Sequence, residues 1–131
     1  MGKLIIIEGT DGSGKQTQTE LLCKKLKEIK GENNVKKISF PNYESRASEP
    51  VKMYLAGEFG KTAESVNAYA ASVLYSVDRF ASFKTEWEEF YNNGGIVISD
   101  RYTISNMIHQ VPKISDKSER EIYLSLSLIH I

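Results

Sequence analysis

Three short apolar runs, LIII at 4–7, VKKISF at 35–40 and GIVIS at 95–99, are separated by stretches far too long for hairpins. That spacing restricts the fold more than any other feature. Strands joined by long helical connections pair in parallel through right-handed crossovers, so the three C-terminal ends meet one edge of a sheet. Lys3 to Ile7 reads as a buried strand, because it is short, β-branched and halted by Glu8-Gly9. Val35 to Phe40 is a second, less regular strand closed by Pro41, and Gly95 to Ser99 has the composition of a central strand buried on both faces. Ser13 to Lys30 follows helical spacing, with Leu21, Leu22, Leu26 and Ile29 on one face and Gly31 as its stop. EPVKMYLAGEF at 49–59 opens a further helix with Pro50 in its first turn. Glu64 to Tyr91 reads as one long helix that directs Val66, Tyr69, Ala70, Val73, Val77, Phe80 and Trp87 inward. The fold class is α/β, a parallel sheet with flanking helices, and no linker or repeat marks a domain boundary.

Composition narrows the partners. The 131 residues carry 17 basic and 17 acidic side chains, a balance that offers no general footprint for nucleic acid or an anionic membrane. Any anion site must then be local. The single cysteine, Cys23, cannot build a disulfide framework and fits a reducing cytoplasm. Leu4 to Ile7 is too short for a signal sequence or a membrane span.

Polar motifs follow all three strand ends, where open α/β sheets bind their ligands. The first is G-x-x-x-x-G-K, written Gly9-Thr10-Asp11-Gly12-Ser13-Gly14-Lys15, between a strand and a helix. Its glycines let backbone N–H groups turn inward, the helix start adds positive potential, and Lys15 brings a point charge for phosphates. Gln16 stands where serine or threonine ordinarily offers a hydroxyl to Mg²⁺, with Thr17 next; its amide oxygen can bind the ion directly or through water. Asp100-Arg101-Tyr102 after the third strand reads either as a metal-orienting acid beside a phosphate-gripping arginine or as a surface ion pair. Tyr75 and Arg79 lie four apart on one helix face, beside Asp78, either to stack on a base and bond its edge or simply to flank the core.

In this order and spacing, EGTDGSGKQTQ, FPNY, LYSVDRF and DRYTISNMIHQ resemble the thymidylate kinases, P-loop enzymes that phosphorylate dTMP to dTDP. The likeness spans about residues 3 to 115. It implies a P-loop NTPase-type sheet with three of its core strands present, ATP as phosphoryl donor, Mg²⁺, dTMP as acceptor and a homodimer of the full-length protein in the cytoplasm. By the same resemblance Gly9, Gly12, Ser13, Gly14, Lys15, Gln16 and Thr17 hold the ATP phosphates, and Gln16 and Asp100 the metal. Asp11 corresponds to the acid near the acceptor sugar and metal, and Phe40 and Pro41 to the wall of the nucleoside pocket. Tyr75 takes the place of the aromatic stacked on thymine, Arg79 that of the base-reading arginine. Asp100 and Arg101 match the acid and phosphate-binding arginine, so Asp11, Lys15 and Arg101 carry the catalytic assignment. Ser105 and Asn106 fall in the segment against base and sugar, and His109 stands where many members have a tyrosine crowding the 2′ position.

The loop has Gly12 where some family members carry an arginine, and the members with glycine use an arginine from a later lid. After SERE the family continues with a helix and two further strands, whereas here IYLSLSLIHI alternates like a strand. On this reading residues 1–131 form one truncated kinase domain without lid or C-terminal strands, and 122–131 are a non-native tail. Its functions are then phosphorylation of dTMP by the parent enzyme, with this chain weakly active or inactive, or nucleotide binding without turnover. A kinase for another nucleoside monophosphate differs only in acceptor. The lack of an N-K-x-D guanine-reading motif speaks against a switch GTPase.

Overall fold

The computed structural model describes residues 1–128, as two compact units: 1–40 with 83–102, and 41–82 with the chain from Thr103 on. The first unit holds a parallel sheet of β1 (Lys3–Ile7), β2 (Val35–Ser39) and β3 (Ile96–Asp100) in the order β1-β3-β2. Register aligns the strand ends, since Ile7 and Ser39 both lie opposite Asp100. The apolar run at 95–99 is therefore the central strand, with Val97, Ile98 and Ser99 wholly buried.

Val97 and Ile98 point to opposite faces and meet different partners. On one side α1 (Lys15–Lys30) packs Cys23, Leu22 and Leu26 against Ile98 and Val35; on the other Val97 joins Ile38, Phe40, Trp87 and Tyr102. The inward stripe of α1 keeps only Leu22 and Leu26 of the four apolar residues expected there. Leu21 and Ile29 are exposed, and Thr19 is buried with Cys23, which its hydroxyl permits by donating to the Lys15 carbonyl at 2.7 Å.

The expected single helix from Glu64 to Tyr91 is a succession of shorter elements. In the second unit α2 (Glu49–Leu55) precedes α3 (Ala68–Ser82). Asn67 starts α3 later than the pattern indicated, its side-chain oxygen accepting the Ala70 N–H at 2.8 Å. In the first unit a π-helical turn, Phe83–Trp87, leads into α4 (Glu88–Asn92). The added residue of a π turn changes the helical phase, which brings Trp87 inward against Phe83 and Tyr91. Lys36 donates to the Glu86 carbonyl within that turn at 2.6 Å. Val73, Val77 and Phe80 are exposed along α3, and Ala70 with them, while Ala68, Ala71, Asp78, Arg79 and Ser82 are buried.

The second unit closes with α5 (Thr103–Gln110) and α6 (Lys117–Leu128). The Leu-Ser alternation at 124–128 is helical, not extended, because Asp116 caps the preceding turn by accepting from Ser118 Oγ at 2.6 Å and Glu119 N at 2.8 Å. Tyr123 is 1% exposed and packs with Ala68 and Ile114, its ring edge-on to Tyr69 at 5.5 Å. Residues 129–131 of the expected tail lie outside the described residues.

Candidate active site

In the first unit the site is built on the aligned strand ends. After β1 the chain turns through Gly12 and Gly14, at φ 78° and 82°, where a Cβ would meet nothing within 4 Å. Glycine is required there by backbone conformation, not by crowding. The turn ends in the N-terminus of α1, which has no side-chain cap and no acidic residue in its first turn. Its N–H groups and dipole favour an anion.

Two cations converge beside it. Lys15 Nζ lies 3.6 Å from Asp11 Oδ1, and Arg101 Nη2 donates to that same oxygen. The Asp11 carboxylate is 91% exposed, whereas the Lys15 and Arg101 side chains are 13% and 22% exposed. Arg101 reaches across because its backbone is left-handed, φ 67°, the only non-glycine residue with positive φ among those described. Asp100, at the end of β3, is buried with Oδ1 lacking a hydrogen-bond partner. Gln16 is exposed and donates to Glu20 at 3.3 Å, and Ser13 and Thr17 are exposed beside it. Phe40 is buried, edge-on to Tyr102 at 5.6 Å.

The second unit gathers polar groups on its helices. Arg79, 4% exposed, donates to Ser76 Oγ at 3.1 Å. Asp78, 1% exposed, accepts the Asn42 N–H at 2.9 Å, which ties the FPNY segment after Pro41 to α3. Tyr75 is half-buried and meets Tyr54 edge-on at 6.2 Å. On α5, Asn106 Nδ2 donates to Ser72 Oγ at 3.0 Å, and that hydroxyl contacts Tyr123 Oη at 2.5 Å. One turn apart on α5, Asn106 Oδ1 and Gln110 Oε1 are buried without hydrogen-bond partners. Ser105 is half-buried and His109 exposed.

Sequence reasoning did not single out Glu8, Ser72, Ser99, Gln110 or Tyr123. Gln110 had a legible signal, since it repeats Asn106 after one helical turn; the others are visible only through their partners.

The family model of the thymidylate kinases matches residues 7–121, which include both motifs of the first unit and the polar helices of the second. The chain belongs to the thymidylate kinase family. It is 33% identical to the thymidylate kinase of Mycobacterium tuberculosis over 116 residues, 88% of this chain and 52% of that one. With the Schizosaccharomyces pombe thymidylate kinase it shares 31% over 112 residues, 86% of this chain and 50% of the relative. The crystal structure of the Ehrlichia chaffeensis thymidylate kinase superposes with a TM-score of 0.76 at 27% identity, covering 99% of this chain and 68% of that one. The chain thus spans about half the length of these two relatives, and its three-stranded parallel sheet with flanking helices is that of the thymidylate kinase fold. Among the described residues no helix is long and apolar enough to cross a membrane.

Proposed function

We propose that this chain provides the phosphate loop and acceptor residues of a thymidylate kinase that transfers the γ-phosphoryl group of ATP to dTMP. The convergence of Lys15 and Arg101 on one anionic group beside the bare N-terminus of α1 carries the reading. An oxygen of the dTMP phosphate attacks the γ-phosphorus, the bond to the β-phosphate oxygen breaks, and ADP leaves. Catalysis of such a transfer consists of in-line placement and positive charge. Loop amides from Gly9 to Thr17 and Lys15 hold the ATP phosphates, and Arg101 grips the acceptor phosphate. Asp11, which faces both cations, is exchanged for phosphate oxygens when nucleotides bind and then turns to the acceptor sugar and metal.

The donor set fits Mg²⁺. Asp100 presents an unpartnered carboxylate oxygen, and magnesium needs only one or two protein oxygens besides phosphates and water. Asp100 and, through water, Gln16 would hold the ion, which supplies neutralisation of phosphate charge. Tyr75 stacks on thymine, Arg79 reads the base edge, Pro41 and Phe40 wall the pocket, Ser105 lies against the sugar and His109 near the 2′ position. The free oxygens of Asn106 and Gln110 suit a base with an N–H to donate.

Of the four arginines, 46, 79, 101 and 120, only Arg101 lies in the phosphate-loop unit, and Gly12 adds none to the loop. With Arg101 on the acceptor no arginine of that unit remains for the transferred group, an absence that costs about 10³ to 10⁵ in rate. The 131 residues alone are therefore expected to bind nucleotides and turn over slowly, in a cytoplasmic setting that keeps Cys23 reduced. Val73, Val77 and Phe80, at i, i+4 and i+7, leave an apolar stripe exposed on α3, which a second copy covers in a homodimer. A coupled ADP-release assay with dTMP, dUMP and dCMP tests the function. Preference for dTMP is expected, and equal rates on all three would remove the base-reading roles.

A further inference from the structure

A left-handed arginine is costly, and the hydrogen bonds around it show what holds it. The Arg101 N–H donates to the Ile7 carbonyl at 3.0 Å, continuing the β1-β3 ladder. Its carbonyl accepts the Ser99 hydroxyl at 2.5 Å. The next N–H, of Tyr102, is turned away from the ladder by the left-handed residue and needs an acceptor elsewhere. Glu8 supplies it, Oε1 accepting at 2.9 Å, and Glu8 is also the residue that opens the phosphate loop. We propose that Glu8 is a positioning residue for Arg101: by accepting the Tyr102 N–H it fixes the left-handed turn that directs the guanidinium over the loop.

The inference rests on the phosphate-binding role given to Arg101 above. A carboxylate acceptor makes a strong hydrogen bond, but the geometry asks only for an oxygen at that point. Position and charge can therefore be separated by substitution. Glu8→Ala removes the acceptor, Glu8→Asp keeps the charge on a side chain one methylene too short, and Glu8→Gln keeps the oxygen without the charge.

The test is NMR of the unliganded 131-residue chain, together with titration by dTMP and by thymidine. In Glu8→Ala and Glu8→Asp the Tyr102 amide is expected to exchange about tenfold faster, and the Arg101 Cα and Cβ resonances to leave the left-handed range. Glu8→Gln is expected to retain both. Glu8→Ala should weaken dTMP binding about tenfold without changing that of thymidine, and the double variant with Arg101→Ala should bind no more weakly than Arg101→Ala alone. Arg101 remaining left-handed in both the alanine and aspartate variants overturns the proposal, as does equal weakening of thymidine and dTMP. If Arg101→Ala leaves dTMP binding unchanged, the phosphate role of Arg101 fails, while the resonances still decide the role of Glu8.

Discussion

Replacing Arg101 separates what its backbone costs the fold from what its side chain does for a ligand. Holding an L-residue left-handed costs roughly 1–2 kcal/mol, and Arg101 at φ 67° carries that cost in the folded state. Glycine removes it but gains freedom in the unfolded chain worth about 0.4–1 kcal/mol. The lost ion pair reaches an Asp11 carboxylate that is 91% exposed, so solvent screening limits it to ~0.2–1 kcal/mol. These terms nearly cancel, and Arg101→Gly is expected to change stability by less than about 1 kcal/mol. Arg101→Ala loses the same pair while keeping the strain. It should fall below the glycine variant by about 1 kcal/mol, the reverse of the order found in ordinary helices and strands. Urea denaturation followed by emission of Trp87, the one tryptophan and a buried one, measures both variants at a common slope. An alanine variant as stable as the glycine variant refutes the left-handed turn. Loss of more than about 3 kcal/mol in Arg101→Gly would make the guanidinium a structural group rather than a ligand for phosphate.

Four further outcomes are expected. Tyr123→Phe deletes a buried hydroxyl bonded to Ser72 and should cost about 1 kcal/mol in urea denaturation, with Tyr123→Ala costing about 3–5 kcal/mol through the cavity it leaves. Asp116 is held below the usual carboxylate range, first by the Ser118 hydroxyl and then by the Glu119 N–H. Because its folded value is depressed, its contribution is complete above the unfolded value and disappears as pH falls through the folded one. Asp116→Ala should therefore melt below the wild type at neutral pH, and the two should converge in acid. Gln16→Thr, at an exposed site bonded only to Glu20 in its own helix, should leave the melting temperature unchanged and lower the Mg²⁺ concentration needed for tight ATP binding. Phe80→Asp is expected to give a monomer in sedimentation at unchanged stability, since Phe80 is 66% exposed in the single chain.

The phosphate-loop unit was legible because its determinants are local. Short apolar runs, glycines at defined offsets and the strand ends they follow place Gly12, Lys15, Asp100 and Arg101 by topology alone, and in the register Ile7 and Ser39 both lie opposite Asp100. What the pattern missed there depends on phase and pairing. The π turn at Phe83–Trp87 interrupts the single helix expected over 64–91, although Trp87 is buried as its spacing indicates, and no propensity scale encodes that extra residue. The left-handed Arg101 is likewise invisible, because arginine is an ordinary residue for a strand end and the cause lies in Ile7, Glu8 and Ser99.

The helices of the other unit mislead for a deeper reason. Periodicity assigns apolar residues to the interior, yet α3 exposes Val73, Val77 and Phe80 and buries Asp78, Arg79 and Ser82. A fold that serves only itself would reverse this, since a buried charge costs several kcal/mol unless matched and exposed apolar area is left uncovered. The buried charges are matched within the fold, Asp78 accepting the Asn42 N–H and Arg79 donating to Ser76, whereas the apolar stripe is uncovered in the single chain. On neighbouring α5 the amide oxygens of Asn106 and Gln110 are buried and unmatched by protein donors. On the function proposed above, a nucleobase would answer these oxygens and a second copy the exposed stripe.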